Sequence, residues 1–209
     1  MAADATLYDV PVSNNGARIR IAIYAKGLED RIEVKAPTAL GGLKSDDYLA
    51  LNPFGKMPLY VEEGGFALYE SEVINNFVLE KYAGVGMDLS GGSAEERAIA
   101  ALGTRIHDVY LQPLHPCLYK GMDSAADRAG KLAALDAALK ELERICRAGP
   151  FFAGSSPSTA DMALLPSFVF YHFMLEKVRA CVWEHSTLHP PASIYPSIRG
   201  LPAAAFDSI

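Results

Sequence analysis

The chain has 209 residues, of which 50% are hydrophobic and 21% charged, enough for one large or two small domains with a buried core. Nineteen basic and 25 acidic residues give a net charge of −6, and no block of Lys or Arg interrupts this acidic balance. This composition excludes the basic surface of nucleic-acid-binding domains and a polybasic membrane patch, so we expect neither partner.

The first 83 residues alternate strand and helix signals. In chain order they predict a strand at 6–10, a helix at 13–26, a strand at 31–35, a helical turn at 45–51, a hairpin at 57–69 and a helix at 70–82. The order βαβ followed by ββα predicts a small mixed sheet with helices on its faces, as in the thioredoxin fold.

The remainder of the chain is predicted to be helical. The Gly-rich stretch GVGMDLSGGS predicts a linker. Capping-box signatures then precede three apolar runs, at Ser93–Glu96, Ser124–Asp127 and Ser158–Asp161. The chain is thus divided into an α/β thioredoxin-like domain (1–83), a linker (84–93) and an all-α domain (94–209).

Two of the helical runs carry apolar stripes that predict burial. The longer stripe consists of Leu132, Leu135, Leu139, Leu142 and Ile145. A shorter one consists of Leu102, Ile106 and Tyr110, and Pro113 is expected to kink or end its helix.

The stretch NPFGKMP places Pro58 directly after a strand-like Met57, where a sheet would use a backbone N–H. An X–Pro bond is the one peptide bond that adopts the cis form at tolerable cost. We therefore predict a cis Met57–Pro58 bend that presents its backbone to a ligand.

Ser13 stands at the start of the first predicted helix, where a thioredoxin-like redox protein carries C-x-x-C. The segment VPVSNNGAR has no cysteine, which excludes dithiol chemistry there. Ser13 is interpreted either as a helix N-cap or as a hydroxyl that hydrogen-bonds a thiolate and, with the helix N-terminus, lowers its pKa. The two interpretations are compatible.

Other features bear on metals and location. His185 and His189 have the spacing of a metal-ligand pair, but a proline pair follows and the sequence shows no third ligand, so we expect no metal. The N-terminus has no signal-like region. Three widely spaced cysteines, Cys117, Cys146 and Cys181, favour a reduced compartment, so we expect a soluble cytoplasmic protein.

Four segments in order, over essentially the whole chain, resemble the cytosolic glutathione transferases. They are SNNGARIRIAI, LALNPFGKMPLYV, LYESEVINNFVLEKY and STADMALLPSF. The resemblance implies a thioredoxin-like domain that binds glutathione as co-substrate and a helical domain that forms most of an apolar second-substrate pocket between the domains. It implies a cytoplasmic, homodimeric detoxification enzyme that adds glutathione thiolate to small hydrophobic electrophiles.

The resemblance also implies roles for individual residues. Ser13 corresponds to the activating serine of the phi, zeta, tau and theta-like classes. The predicted glutathione contacts are Lys44 and Lys56 for the glycyl carboxylate, Met57 and Pro58 for the cysteinyl part, and Glu70 and Ser71 for the γ-glutamyl end. The candidate lining residues of the electrophile pocket are Tyr110, Leu114, Tyr119, Phe168 and Tyr171. Asp161 corresponds to a folding determinant.

Several alternatives stay open at this point. Tyr8 lies one position from the catalytic Tyr of other classes, a shift that turns a strand side chain to the other face, so it is expected to pack. The same site could serve glutathione-dependent isomerisation or peroxide reduction, or the fold could be a non-catalytic binding or scaffold module. Gly200 and Pro202 predict a short or rearranged C-terminal lid.

Overall fold

The computed structural model describes residues 3–182, with side chains described as far as residue 174. The chain forms two compact units, the first ending at Leu89 and the second beginning at Ser90. That boundary lies inside the Gly-rich segment 84–93.

The described residues of the first unit form a four-stranded mixed sheet and three α-helices. The strands are β1 (Ala5–Tyr8), β2 (Ile32–Lys35), β3 (Leu59–Glu62) and β4 (Ala67–Tyr69). The helices are α1 (Asn14–Lys26), α2 (Asp46–Leu51) and α3 (Ser71–Lys81), with a 3-10 turn at Pro37–Leu40. The strand order is β2-β1-β3-β4, with β1 parallel to β2 and antiparallel to β3. This arrangement confirms the predicted thioredoxin-like α/β fold.

Local sequence explains the bounds of α1. Ser13 precedes the helix in an extended conformation and its side chain caps the first turn, as expected for a good N-cap residue. Gly27 ends the helix with φ of 64°, a left-handed conformation that costs glycine little. Most of the fully buried aliphatic side chains of this unit come from the sheet and from α1 and α3; they include Leu7, Ile19, Ile21, Leu59, Ile74 and Val78.

In the described residues of the second unit the regular elements are all helical, apart from an isolated β-bridge between Phe151 and Gly154, which confirms the predicted all-α fold. It contains α4 (Ala94–Ile106), a π-helical turn (His107–Leu111), a 3-10 segment (Gln112–Leu118), α5 (Ala125–Ile145) and α6 (Thr159–Val182). Both bonds of the predicted capping box at α4 are present: Glu96 N–H donates to Ser93 Oγ at 3.2 Å, and Ser93 N–H donates to Glu96 Oε2 at 2.7 Å.

Only one of the two predicted apolar stripes is buried along its whole length. All five members of the α5 stripe are buried, which confirms that prediction. The prediction for the α4 stripe is wrong, because only Ile106 is buried, while Leu102 is 44% and Tyr110 60% exposed. A π-helical turn has more residues per turn than an α-helix, so the π turn after Ile106 rotates Tyr110 off the buried face. The chain continues through Pro113 as a 3-10 helix.

A buried histidine in the second unit makes its stability sensitive to acid. His115 Nε2 lies 2.6 Å from the Tyr171 hydroxyl, and its ring contacts Phe170 and lies edge-on to His107. Burial, followed by the nearby His107, lowers the pKa of His115 to about 3. The folded state therefore holds His115 neutral over a pH range in which the unfolded chain is protonated.

We expect this linkage to remove stability as the pH falls below the ordinary histidine pKa of about 6.5. Only the unfolded state takes up the proton between that value and about 3, so the free energy of unfolding falls by about 1.4 kcal/mol per pH unit, or about 2 kcal/mol between pH 7 and pH 5. The measurement is urea unfolding at both pH values for wild type and His115→Gln. Equal pH dependence in the two proteins would contradict the assignment.

Candidate functional site

The register of the sheet places one end of β1, β3 and β4 side by side. Tyr8 at the end of β1 pairs with Leu59 at the start of β3, and Leu59 pairs with Tyr69 at the end of β4. Tyr8 also pairs with Lys35 at the end of β2. Segments that follow β1, β2 and β4 or precede β3 therefore meet at one edge of the sheet.

The predicted glutathione-contacting residues all belong to those segments. Ser13 follows β1, Lys44 follows β2, Lys56, Met57 and Pro58 precede β3, and Glu70 and Ser71 follow β4. Residues up to 58 positions apart in sequence are thus collected at one edge, at the N-termini of α1 and α3. We call this edge, where the sequence predicts that glutathione binds, the glutathione edge.

Ser13 is half-buried at the N-terminus of α1. Its Oγ accepts a hydrogen bond from Gly16 N–H at 3.0 Å, and its carbonyl accepts one from Ala17 N–H at 2.8 Å. The N-cap interpretation is therefore confirmed. A hydroxyl can accept from Gly16 and still donate its own proton, so the same atom remains able to donate to a thiolate at the helix terminus.

Two side-chain hydrogen bonds fix the loop before β3. Its Met57–Pro58 bond is cis, as predicted. The preceding carbonyl, of Lys56, accepts from the Tyr48 hydroxyl and from Asn52 Nδ2, both at 2.7 Å. Burial raises the pKa of Tyr48 to about 12, so its hydroxyl stays protonated and able to donate.

The backbone of Met57 is suited to pairing with an extended ligand. Within the part of the chain that the structure describes, neither its N–H nor its C=O makes a backbone hydrogen bond. A backbone pair left open beside a sheet is what a peptide ligand uses when it adds to that sheet.

Glu70 and Ser71 begin α3 in an unusual backbone conformation. Glu70 has φ of 70°, which is rare for a residue with a side chain and is typical of functional sites. Among the described residues the Glu70 side chain does not cap the helix, so the first N–H groups of α3 are suited to binding an anion. Glu72 in the same turn pairs with the buried Arg18 at 3.1 Å, which fixes α3 against α1.

Lys44 and Lys56 are exposed on neighbouring parts of this edge. The structure places the Lys44 ammonium against Gly55, where an added Cβ would lie 2.8 Å from Nζ. Since Gly55 precedes Lys56 directly, the two lysines form a small positive region beside the cis-proline loop, suited to an anionic group.

Tyr8 occupies the other face of β1. Burial alternates along the strand, with Ala5 and Leu7 buried and Thr6 and Tyr8 partly exposed. The next residue, Asp9, contacts the first turn of α1 at Gly16. Tyr8 therefore points away from that turn, as the one-residue shift predicts.

The five predicted pocket-lining residues separate into two groups. Tyr110 and Leu114 line an apolar groove of about 660 Å³, and Tyr119 is exposed and contacts Phe170. Phe168 and Tyr171 are instead buried in the core of the second unit, where they contact each other, so no ligand reaches them in this structure. Their helical spacing reflects core packing.

The groove lies between α5 and the segment that follows α4. We define it by its lining residues Ile106, Val109, Tyr110, Pro113, Leu114, Ala134, Ala137, Ala138 and Glu141. Its one charged member, Glu141, is paired with Arg144 at 2.7 Å. The groove therefore offers an almost wholly apolar surface.

Two further observations concern metals and membranes. Among the side chains that the structure describes, which end at residue 174, no cluster of three or more His, Cys, Asp or Glu residues could hold a metal ion. The pair His185 and His189 and the C-terminal residues Gly200 and Pro202 lie outside the described residues. None of the described helices has the length and apolarity needed to span a bilayer.

The sequence does not predict two ion pairs at the glutathione edge, one of them fully buried and the other with a partly exposed carboxylate. Arg18 pairs with Glu72, and Arg20 pairs with Asp9. Both arginines lie within the helical run that begins at Ser13. Charged residues that alternate with the isoleucines of this run are the sequence signal for buried arginines. Their partners, one on another helix and one beyond a strand end, become visible only in three dimensions.

Both halves of the chain match models of a known protein family. Residues 7–86 match the family model for the glutathione S-transferase N-terminal domain, and residues 125–199 match the model for the glutathione S-transferase C-terminal domain. Together the two matches cover more than half of the 209 residues.

Individual relatives agree with the family models. The chain is 41% identical to glutathione S-transferase 3 of Zea mays, over 42% of this chain and 39% of the maize protein. It is 28% identical to glutathione S-transferase 1 of Triticum aestivum, over 77% and 76% of the two chains. A glutathione transferase of Phanerochaete chrysosporium, solved with oxidized glutathione, has the same fold, with a TM-score of 0.73, 17% identity and coverage of 99% and 94%.

Proposed function

Because the chain belongs to the glutathione S-transferase family, we propose that it is an enzyme that conjugates glutathione to small hydrophobic electrophiles. The observation that carries this proposal is the sheet register, which gathers Ser13, the cis Met57–Pro58 bend and the Glu70–Ser71 pair at the glutathione edge.

In the proposed mechanism, Ser13 acts on the thiol of bound glutathione. Its hydroxyl donates a hydrogen bond to the thiolate, and the free N–H groups and dipole of α1 add further stabilisation. Both effects lower the thiol pKa, so the proton leaves to solvent at neutral pH. The thiolate sulfur then forms a bond to the electrophilic carbon while the leaving group departs with its bonding electrons.

The rest of glutathione is proposed to lie along the same edge. The Met57 backbone pairs with the cysteinyl residue, and Pro58 fixes the bend that exposes it. Glu70 accepts from the γ-glutamyl ammonium, and Ser71 with the α3 N-terminus binds the adjacent carboxylate. Lys44 and Lys56 attract the glycyl carboxylate.

The test of this function is glutathione consumption with a chloronitroaromatic electrophile, together with titration of glutathione binding. We expect binding and saturable conjugation. Binding with turnover only of a peroxide or an isomerisable substrate would reassign the reaction on the same site. Absence of glutathione binding would leave the non-catalytic scaffold interpretation.

The second substrate is proposed to use the apolar groove, with Tyr110 and Leu114 as contacts, and the exposed Tyr119 is a further candidate contact outside the groove lining. Its volume of about 660 Å³ falls in the range of small-molecule sites. We expect Tyr110→Ala to raise the KM for the chloronitroaromatic about tenfold and to leave the KM for glutathione unchanged, because a large apolar contact is lost. Lys140→Ala, on the exposed side of α5, is the control.

A different result for Tyr110→Ala would assign the groove to a partner chain. If the variant keeps both KM values and becomes monomeric in light scattering, the groove is a subunit contact. The unchanged KM for the electrophile would then contradict the substrate proposal.

We also propose that the protein is a homodimer. Phe54 is 60% exposed at the tip of the cis-proline loop, which Asn52 holds by accepting from Phe54 N–H at 3.1 Å. An exposed aromatic on a rigid loop is suited to anchoring a partner. We expect wild type to be dimeric and Phe54→Ala to dissociate at least tenfold more readily, measured by light scattering across a dilution series. A monomeric wild type, or an unchanged dissociation constant, would contradict this role.

A cytoplasmic, detoxifying role completes the proposal. Cys117 and Cys146 are free thiols, and burial raises the pKa of both, so they are poorly reactive. Free thiols are usual in a reducing compartment, where glutathione is also available.

A further inference from the structure

A buried ion pair lies behind the segment that carries Ser13. Asp9 follows β1 and Arg20 lies within α1, and their side chains, 0% and 5% exposed, form an ion pair. Well-packed apolar residues often replace such a pair with no loss of stability, so burial of two opposite charges calls for another explanation.

Arg20 also fixes the backbone of the connection from β1 to α1. Its Nη1 donates to the Val10 carbonyl at 3.0 Å, and its Nη2 donates to the Pro11 carbonyl at 2.8 Å. Ser13 N–H donates to the same Val10 carbonyl at 3.0 Å. One guanidinium therefore contacts three successive residues and is one hydrogen bond away from Ser13.

Asp9 brings a negative charge close to the Ser13 hydroxyl. Its carboxylate packs so closely on Gly16 that a Cβ at position 16 would collide with it. The Gly16 N–H in turn donates to Ser13 Oγ. Asp9 Oδ1 has no hydrogen-bond partner among the described residues, so Arg20 supplies the main compensation for this charge.

We propose that the Asp9–Arg20 pair is a positioning element for Ser13 that also balances the charge felt by the glutathione thiol. The inference rests on the proposed function. Arg20 holds the connection so that the Ser13 hydroxyl faces the ligand. Its positive charge offsets the Asp9 carboxylate, which alone would oppose formation of a thiolate at the α1 N-terminus.

Other charged groups around the pair stay the same in the variants below. On α1, Tyr24 lies one turn further along the helix and interacts electrostatically with Arg20. On β2, Lys35 pairs with Glu33 at 2.8 Å. Between α1 and α3, Arg18 pairs with Glu72.

Two variants separate charge from position. Asp9→Asn leaves the Arg20 cation uncompensated, since arginine does not deprotonate in proteins. We expect the rise of kcat/KM with pH to move about one pH unit lower, because an added positive charge favours the thiolate. Arg20→Lys keeps the charge but replaces the planar fork, so we expect the profile to stay in place while kcat falls about tenfold.

Asp4→Asn is the matched control for charge. Asp4 precedes β1, whereas Asp9 follows it, and Asp4 pairs with the exposed Arg31 at 2.7 Å. Its replacement makes the same change in net charge at the far end of the strand. We expect the pH profile and kcat of this variant to match wild type.

The outcomes are decisive in both directions. Coincident pH profiles for Asp9→Asn and wild type would overturn the charge role, and full kcat in Arg20→Lys would overturn the positioning role. If Asp9→Asn does not fold, Arg20→Lys still tests the positioning. A wild-type protein that neither binds nor conjugates glutathione contradicts the proposed function itself, which is a separate result.

Discussion

Replacing Ser13 with Ala is expected to lower kcat for glutathione conjugation about a hundredfold, the usual loss when one donor to a developing anion is removed. The KM for glutathione should change little, because the proposed contacts of its two ends lie on other segments of the glutathione edge. The pH at which kcat/KM rises should also move upward, since the thiol loses the hydrogen bond that favours its ionised form. Steady-state kinetics across pH measures all three quantities.

Because Ser13 also caps α1, the variant needs a control for the lost cap. Ser124 caps α5 through Asp127 N–H at 3.0 Å, in the other unit and outside the proposed site. Ser124→Ala should lose about 1 kcal/mol of stability, as caps do, and keep full turnover. Ser13→Thr should keep most activity because it retains a hydroxyl. Equal turnover in Ser13→Ala and wild type would leave Ser13 as a cap only.

The largest expected effect on stability comes from Asp161. This buried carboxylate accepts from Phe152 N–H at 2.8 Å, from Ser158 N–H at 2.9 Å and from Ser158 Oγ–H at 2.8 Å. Burial raises the pKa of Asp161, and the three donors oppose that shift. Asp161→Ala leaves all three donors without an acceptor, so we expect the unfolding free energy to fall by about 4 kcal/mol.

The control for Asp161 is an exposed aspartate in the same unit. Asp136 pairs with Lys140 at 2.6 Å on the surface of α5. Asp136→Ala should change the unfolding free energy by less than about 0.5 kcal/mol. Urea unfolding followed by the helical signal compares the two, and a similar small loss for Asp161→Ala would contradict a folding role for this residue.

The sequence predicts the thioredoxin-like half well because its local signals agree. The N-cap at Ser13, the left-handed Gly27 and the alternation of β1 each specify a boundary by local chemistry. Once the strand ends are known, the register brings the predicted contacts to one edge. The cis bond before Pro58 follows from the same local reasoning.

The helical half contains features that local sequence signals do not predict. Helical spacing does not distinguish a buried aromatic side chain from one that lines a groove. The sequence therefore groups Phe168 and Tyr171 with Tyr110, although both belong to the core. The π turn that exposes Tyr110 has no recognisable sequence signal. The Asp9–Arg20 pair likewise depends on how α1 packs against the end of β1.

The measurement that tests the central claim most directly is the thiol pKa of glutathione bound to wild type and to Ser13→Ala. It can be followed by ultraviolet absorbance of the thiolate during a pH titration at saturating glutathione. The proposed mechanism predicts a pKa at least one unit below the ordinary thiol value of about 8.5 in wild type, and a return toward that value in the variant. An ordinary thiol pKa in wild type, or an equal depression in both proteins, would contradict activation by Ser13.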